Sequence, residues 1–487
     1  MKGGRAGTVV VIAAIAVLVM GACILLDRPL VRGDGLAYFM WLDSAARDWD
    51  LDLANQAVKF AGVNTYQVFR YEKTGRYASV FPFGSALLLV PFYWLATLAN
   101  RLPLFHLNDA YFVQHQGVTL AFSFFPMLGA NLYAVATVIL AYLTARRWVS
   151  QLPAAVAALA LFFGTPLWYY ATVEPLSAHV EGAFAVSLLL YLVVRWRAGL
   201  GGYAETVEGT APDTAMSRAG PRSPALREGR PMHPTTGGAF LWLAVGAAAG
   251  LATLVRWQLA LFALPFAAML IVERRPRLLA AFVAGFLPLA AWVPWSWWRM
   301  FGSPFVVPAA EQNRAAFLVW PAHLGQVLLS GEKGLFVWAP LTAMALLGFW
   351  WVGRRDRAQG VALAAAFALQ ALINASVYDW WAGWGFGMRR MVELYPVFVL
   401  GLAAVLGIAA KATWRRATAY GLTALCTAYA GLLLFSHLNF INTVLDRPQG
   451  DTAVHEIQYQ LTMSSFRITG LVMRDHYGPW AWRKPGP

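Results

Sequence analysis

Apolar runs long enough to cross a bilayer recur along this chain from residue 8 to residue 437. A helix needs about 20 apolar residues to cross the hydrocarbon, and a barrel strand only about 10. Lipid offers the backbone no hydrogen-bonding partners, so a chain of such long runs has to satisfy itself as helices. The expectation is an all-α, polytopic transmembrane bundle of about eleven spans. Only 13% of the residues are charged, against about 25% in soluble proteins. One helical membrane unit therefore fits better than several soluble domains.

Charge at the ends of the runs sets the order. Lys2 and Arg5 flank the first run, 8–27, and place the N-terminus in the cytoplasm. The run reads as an uncleaved anchor, since Ala22-Cys23 makes a poor cleavage site. Further spans are predicted at 117–145, 153–171, 182–196, 239–255, 259–273, 278–298, 335–352, 360–378, 392–410 and 418–437. Residues 84–100, preceded by Pro82 and interrupted by Pro91, read as a helix that dips or lies at the interface. The chain divides into an N-terminal transmembrane module, 1–198, with a first external loop at 28–83, and a C-terminal module, 239–442. Between them 199–238, rich in Gly, Pro, Ser and Thr, is predicted to be a disordered cytoplasmic linker, and 443–487 is an external tail.

Composition excludes several classes. The net charge of +14 is accounted for by Arg clusters at span ends, so a nucleic-acid partner is set aside. Both cysteines, Cys23 and Cys426, sit inside apolar runs, which excludes a disulfide scaffold or a cysteine metal site. No internal repeat is visible, which argues against a transporter built from two related halves.

Chemistry concentrates in 32–55, where five aspartates, Asp34, Asp43, Asp48, Asp50 and Asp52, follow the first span. Carboxylates beside lipid are expensive and usually functional. Residues 35–47 read as a short helix on the membrane surface. Asp34, between Gly33 and Gly35, is read both as that helix's N-cap and as a catalytic carboxylate. Asp48, Asp50 and Asp52 lack an EF-hand pattern, with Leu53 in place of the sixth-position Gly and Lys59 in place of the twelfth-position Glu. They read as an acidic loop pairing with Arg47 and Arg70, with a different divalent-metal site as the other reading. Glu174, His179, Glu181, Lys333 and Asp379 fall on the same external side. So do Arg256, Arg389 and Arg390, which break the charge rule that the other span ends obey and suit a phosphate ligand.

The stretches G-D-G-L-A-Y-F at 33–39 and D-W-D-L-D-L-A-N at 48–55 resemble the first external loop of the GT-C glycosyltransferases. F-P-F-G-S-A-L at 81–87, G-L-F-V-W-A-P at 334–340 and W-W-A-G-W-G-F-G-M-R-R at 380–390 follow in the same order. That superfamily includes protein O-mannosyltransferases and lipid A aminoarabinose transferases. The resemblance implies a GT-C-like bundle with surface helices in its first external loop. It also implies a hexosyl- or pentosyltransferase that takes a sugar from a polyprenyl-phosphate donor on the extracytoplasmic face of a bacterial inner membrane. The acceptor would be a hydroxyl of an envelope glycan, a glycolipid or a protein. Asp34 matches the general base, and Arg256 and Arg389, with Arg390 beside it, match donor-phosphate positions. Asp48, Asp50, Asp52, Glu174 and His179 are assigned to substrate or structural support. No cofactor is required for a single phosphate faced by several arginines, and a divalent metal stays compatible. A single base without a covalent intermediate implies inversion. Two rival readings are a lipid flippase or transporter, and a non-catalytic scaffold with a glycosyltransferase-like fold.

Overall fold

The computed structural model describes residues 5–26, 31, 33–63, 66–201, 236–312, 318, 320–383 and 385–440. Most of the linker, 202–235, and the whole external tail, 443–487, lie outside them. The bounding helices His179–Gly201 and Thr236–Val255 run three residues into each side of the expected linker.

Among the described residues eight helices are long and apolar enough to cross a membrane. They are Ala6–Leu26, Leu120–Ala145, His179–Ala198, Gly238–Val255, Pro276–Phe301, Arg357–Ala375, Arg389–Ala409 and Thr413–Leu438. The chain is an all-α, polytopic integral membrane protein. The remaining three expected spans are present as broken pieces, and proline explains two of the breaks. The run 153–171 divides into Gln151–Phe163 and Leu167–Thr172 on either side of Pro166. The run 335–352 divides at Ala339, which takes φ −140° and ψ 68° before Pro340. Proline denies its predecessor the helical region, so each helix ends there. The run 259–273 opens as a 3-10 segment, Trp257–Phe262, before Ala263–Val272. Backbone this irregular is tolerated at membrane depth only inside protein, and Leu167, Leu259, Phe262 and Leu341 are indeed buried.

Small residues bring the helices together. A Cβ added at Gly246 would overlap the carbonyl oxygen of Phe282, and one at Gly285 would overlap that of Leu243. The helices Thr236–Val255 and Pro276–Ala290 thus touch backbone to backbone, as lipid-embedded helices do where close packing replaces the hydrophobic drive.

Charges separate to the two ends of the bundle. Arg197 donates to Glu273 at 2.5 Å and grips Asp356 with two nitrogens, Nη2 at 2.8 Å. Arg355 donates to the Trp148 carbonyl at 2.8 Å. At 1.5 Å per residue, Arg197 stands about 27 Å along its helix from His179. The other end carries His179 and the whole first loop.

That loop differs from expectation. The helix Asp34–Asp43 does not lie on a surface: every residue from Gly35 to Asp43 is buried. Its apolar residues point in all directions and need cover on all sides. Tyr38 stacks on Phe81 with ring centroids 4.6 Å apart, Trp41 donates to the Phe81 carbonyl at 3.0 Å, and Tyr93 donates to Asp43 at 2.5 Å. A hairpin, Val68–Arg70 paired with Tyr77–Ser79, adds the outer layer. The end of Pro276–Phe301 and the loop after it dock on that hairpin, with Thr74 donating to the Met300 carbonyl at 2.7 Å and Tyr71 to Glu311 at 2.6 Å. The helix Gly84–Ala99 starts against Leu254 and runs antiparallel to the first half of Leu120–Ala145. Tyr133 donates to the Leu88 carbonyl at 3.0 Å and Thr119 to Asn100 at 2.5 Å. It accompanies half of that 26-residue helix and no more.

Candidate active site

Asp34 is the first residue of its helix, and the N-cap is Gly33, at φ 55° and ψ −134°, with no side-chain cap bond. A positive φ of this kind favours glycine. The capping role expected of Asp34 is therefore not taken up, and its carboxylate is free to turn elsewhere. Oδ1 accepts from Gln67 Nε2 at 2.8 Å, and Oδ2 accepts from Arg389 Nη1 at 2.6 Å. Burial alone would raise the Asp34 carboxyl. The Arg389 guanidinium, with the hydrogen bonds from Gln67 and Arg389, outweighs burial and leaves it below its ordinary range. The pair is still reachable, with side chains 17% and 19% exposed.

A second cluster adjoins it. Glu393 Oε1 accepts from His179 Nδ1 at 2.9 Å and forms an ion pair with Arg256, whose Nε lies 3.0 Å away. Carboxylates only accept, so the His179 proton sits on Nδ1, and Nε2 faces Arg256 Nη1 at 3.5 Å. The Tyr170 ring lies 4.3 Å from the His179 ring. The groups sit where helices begin or break. His179 starts a span, Arg256 ends one, and Arg389 and Glu393 sit in the 3-10 turn Arg389–Leu394 ahead of Tyr395–Ala409. With His179 neutral, Asp34 and Glu393 balance Arg389 and Arg256.

Arg390 faces another way. Its guanidinium grips both Asp379 oxygens, at 2.9 and 3.0 Å, and donates to the Asp379 carbonyl at 2.9 Å. Gln370 and Asn374 donate to the Arg390 carbonyl at 3.1 and 3.2 Å. Of the two adjacent arginines, Arg389 is the one beside Asp34. Lys333 is fully buried and donates to the Gly383 carbonyl. Burial, and then the neighbouring Arg389, push it well below the ordinary lysine range. Glu174 accepts from the Tyr169 hydroxyl at 2.9 Å, and its charge is felt at Lys333.

The acidic triplet is built into its own loop. Asp50 Oδ1 accepts from Ser44 at 2.8 Å and from the Asp52 amide at 3.2 Å. Asp52 accepts from the Ala54 amide at 2.9 Å, and Asp48 from Asn55 at 2.8 Å and Gln56 at 2.5 Å. Arg47 and Arg70 make no ion pair with them among the described residues; Arg70 Nε donates to the Gly75 carbonyl at 3.2 Å. The ion pair in this loop joins Lys59 to the buried Asp43 at 2.7 Å. Among the described residues no three His, Cys, Asp or Glu side chains are placed to share a metal ion.

Sequence reasoning missed Gln67 and Glu393. Glu393 had a usable signal, the only acid in the apolar run 391–410, where a carboxylate is expensive. Gln67 had none, being one polar residue in a polar loop. Trp384, within the aromatic stretch at 380–390, lies outside the described residues.

Fold and site together define a polytopic helical membrane protein with a buried, charge-balanced acid–arginine cluster at one end. No family model matches the chain and no curated protein matches it. Among solved structures it is similar to ArnT from Cupriavidus metallidurans in the apo state, with 15% identity, covering 98% of this chain and 76% of that one at a TM-score of 0.49. It is also similar to the apo oligosaccharyltransferase of Archaeoglobus fulgidus, with 12% identity, 94% and 60% covered and a TM-score of 0.47. A third is AglB from the same organism in complex with an inhibitory peptide and a dolichol-phosphate, with 12% identity, 100% and 57% covered and a TM-score of 0.44. This chain thus spans little more than half the length of the archaeal proteins. At such identities the chemistry has to be argued from the site.

Proposed function

We propose that this protein is a membrane glycosyltransferase that moves a sugar from a polyprenyl-phosphate donor to an acceptor hydroxyl, with Asp34 as general base. The observation that carries the reading is the Asp34–Arg389 pair, a carboxylate and a guanidinium in contact and partly exposed, with His179 of the Arg256–Glu393 cluster near enough to be felt at Asp34. The ordered motifs resembling GT-C enzymes add support.

The acceptor oxygen attacks the anomeric carbon as the bond from that carbon to the phosphate oxygen breaks. The hydroxyl proton passes to Asp34. The bonding electrons leave with the phosphate, and Arg389 and Arg256 stabilise the charge that grows there. One carboxylate acting as base, with no covalent sugar intermediate, gives inversion. Arg390, engaged by Asp379, holds the loop that presents Arg389. The triplet Asp48, Asp50 and Asp52 shapes its loop, Glu174 supports the site through Tyr169, and His179 orients Arg256. The two arginines supply the positive charge, so the reading requires no metal. The donor is greasy, and the site is placed at the extracytoplasmic face of a bacterial inner membrane, opposite the arginine-rich span ends. The acceptor class is an envelope glycan, a glycolipid or a protein.

The test uses purified protein in bilayers with a panel of radiolabelled polyprenyl-phosphate sugars. Sugar transfer or donor hydrolysis, abolished by Asp34→Asn and reduced by Arg256→Ala and Arg389→Ala, is the expected result. Movement of the lipid across the bilayer without sugar loss would make the protein a flippase, and neither outcome would make it a scaffold.

A further inference from the structure

The proposed chemistry asks two incompatible things of Arg389. Its Nη1 donates to Asp34 Oδ2 at 2.6 Å, while Gln67 donates to Oδ1 at 2.8 Å. Both oxygens of the base are engaged, and a carboxylate held in this way below its ordinary range is slow to take a proton from an alcohol. A leaving phosphate needs that same guanidinium.

The other cations nearby are committed to groups the reaction does not touch. Arg256 is held by Glu393 at 3.0 Å, Arg390 by Asp379 at 2.9 Å, and Lys333 by the Gly383 carbonyl. Arg389 alone of these four is paired with the residue that must change its own hydrogen bonding during transfer. Its side chain lies against a glycine-rich turn: a Cβ at Gly385 would overlap the Tyr170 hydroxyl and stand 3.1 Å from Arg389 Cδ, and one at Gly383, where φ is +67°, 3.9 Å from Nη2. The absence of side chains at these two positions lets the backbone of the turn and the Tyr170 hydroxyl approach Arg389 closely.

We propose that Asp34 and the donor phosphate compete for Arg389, so that seating a polyprenyl-phosphate sugar draws the guanidinium off Asp34 and unmasks the base. The exchange replaces an Nη1–H···Oδ2 hydrogen bond with an Nη1–H···O–P one, and no covalent bond changes. An acceptor hydroxyl or a water that enters before the donor meets a neutralised carboxylate. The coupling rests on the function proposed above and orders it: donor first, activation second.

The probe is a polyprenyl monophosphate without sugar, titrated onto the full chain in detergent and followed by tryptophan fluorescence. Asp34→Asn is expected to bind it about tenfold more tightly than the unaltered chain, the size of one hydrogen bond to a charged group. Removing a negative charge would also relieve plain repulsion, so the comparison is repeated with Arg389→Ala. Competition requires the gain to vanish there; Arg389→Gln is used instead if the truncated chain does not fold. No gain in Asp34→Asn, or a gain that survives loss of Arg389, overturns the coupling and leaves the glycosyltransferase reading standing. No binding by any form, the unaltered chain included, overturns both.

Discussion

Asp34 and Arg389 stand 355 residues apart in the chain and 2.6 Å apart in the folded protein. One opens the buried helix of the first loop and the other opens a late span. The bundle's topology brings this carboxylate and this guanidinium together.

If Asp34 takes the acceptor proton, Asp34→Asn keeps shape and the Gln67 contact but removes the base. The expected loss of transfer is about 10²–10⁴-fold, the usual value of a positioned general base. Elution volume and helical content should stay those of the unaltered chain. Transfer at the normal rate would take Asp34 out of the mechanism.

The same pair should leave a mark on stability. The Asp34 carboxyl lies below its unfolded value in the folded state. Its contribution is then fully present above the unfolded pKa, about 3.9, and is lost as pH falls through the lower folded value. At neutral pH the unaltered chain should melt above Asp34→Asn, with the gap closing as the pH drops below about 4. A gap independent of pH would mean that the charge of Asp34 does not stabilise the fold.

Arg390 and Asp379 offer a test of which arginine does what. Each makes its strongest contacts with the other. Arg390→Ala and Asp379→Ala should therefore lower stability by similar amounts. The double variant should fall short of the sum by about 0.5–3 kcal/mol, the range for residues in contact. Additive losses would show that Arg390 has a separate task.

How much of this was readable beforehand follows from the range of each interaction. The spans could be read because apolar length is a local property. Their breaks at Pro166 and Pro340 went unread, because apolar length alone hides a proline that acts only on its immediate neighbours. Asp34 as a cap failed because the cap rule sees only the next three residues, while Arg389 competes from a distant span. The pairing of Arg47 and Arg70 with the acidic triplet failed for a related reason. Backbone amides and Ser44, Asn55 and Gln56 were nearer partners than any charge. Glu393 escaped notice because a window averaged over an apolar run hides its single acid.

The acidic triplet separates a metal from a structural loop. Asp50 is tied to Ser44 at 2.8 Å and to the Asp52 amide at 3.2 Å. Asp50→Ala should loosen the loop, lowering the melting temperature, yet change transfer by no more than a few-fold. Chelation with EDTA should leave transfer unaltered. Loss of transfer in both experiments, restored by a divalent ion, would assign these aspartates to a metal.

Glu393 is the last and severest test, because it holds two groups with one oxygen. Glu393→Ala leaves the Arg256 charge, 11% exposed, without its carboxylate and empties space beside His179. Breaking a buried ion pair from one side costs about 3–5 kcal/mol. This variant should therefore express poorly or melt far below the unaltered chain. Glu393→Gln keeps the volume and an acceptor oxygen for Arg256 while removing the charge. It should recover most of the folding and still bind polyprenyl monophosphate, since Arg389 and Arg256 both keep their positive charge. A glutamine variant that melts with the unaltered chain, while only the alanine variant falls, would show that the charge of Glu393 is dispensable, and the ion pair with Arg256 would then carry no stabilising role.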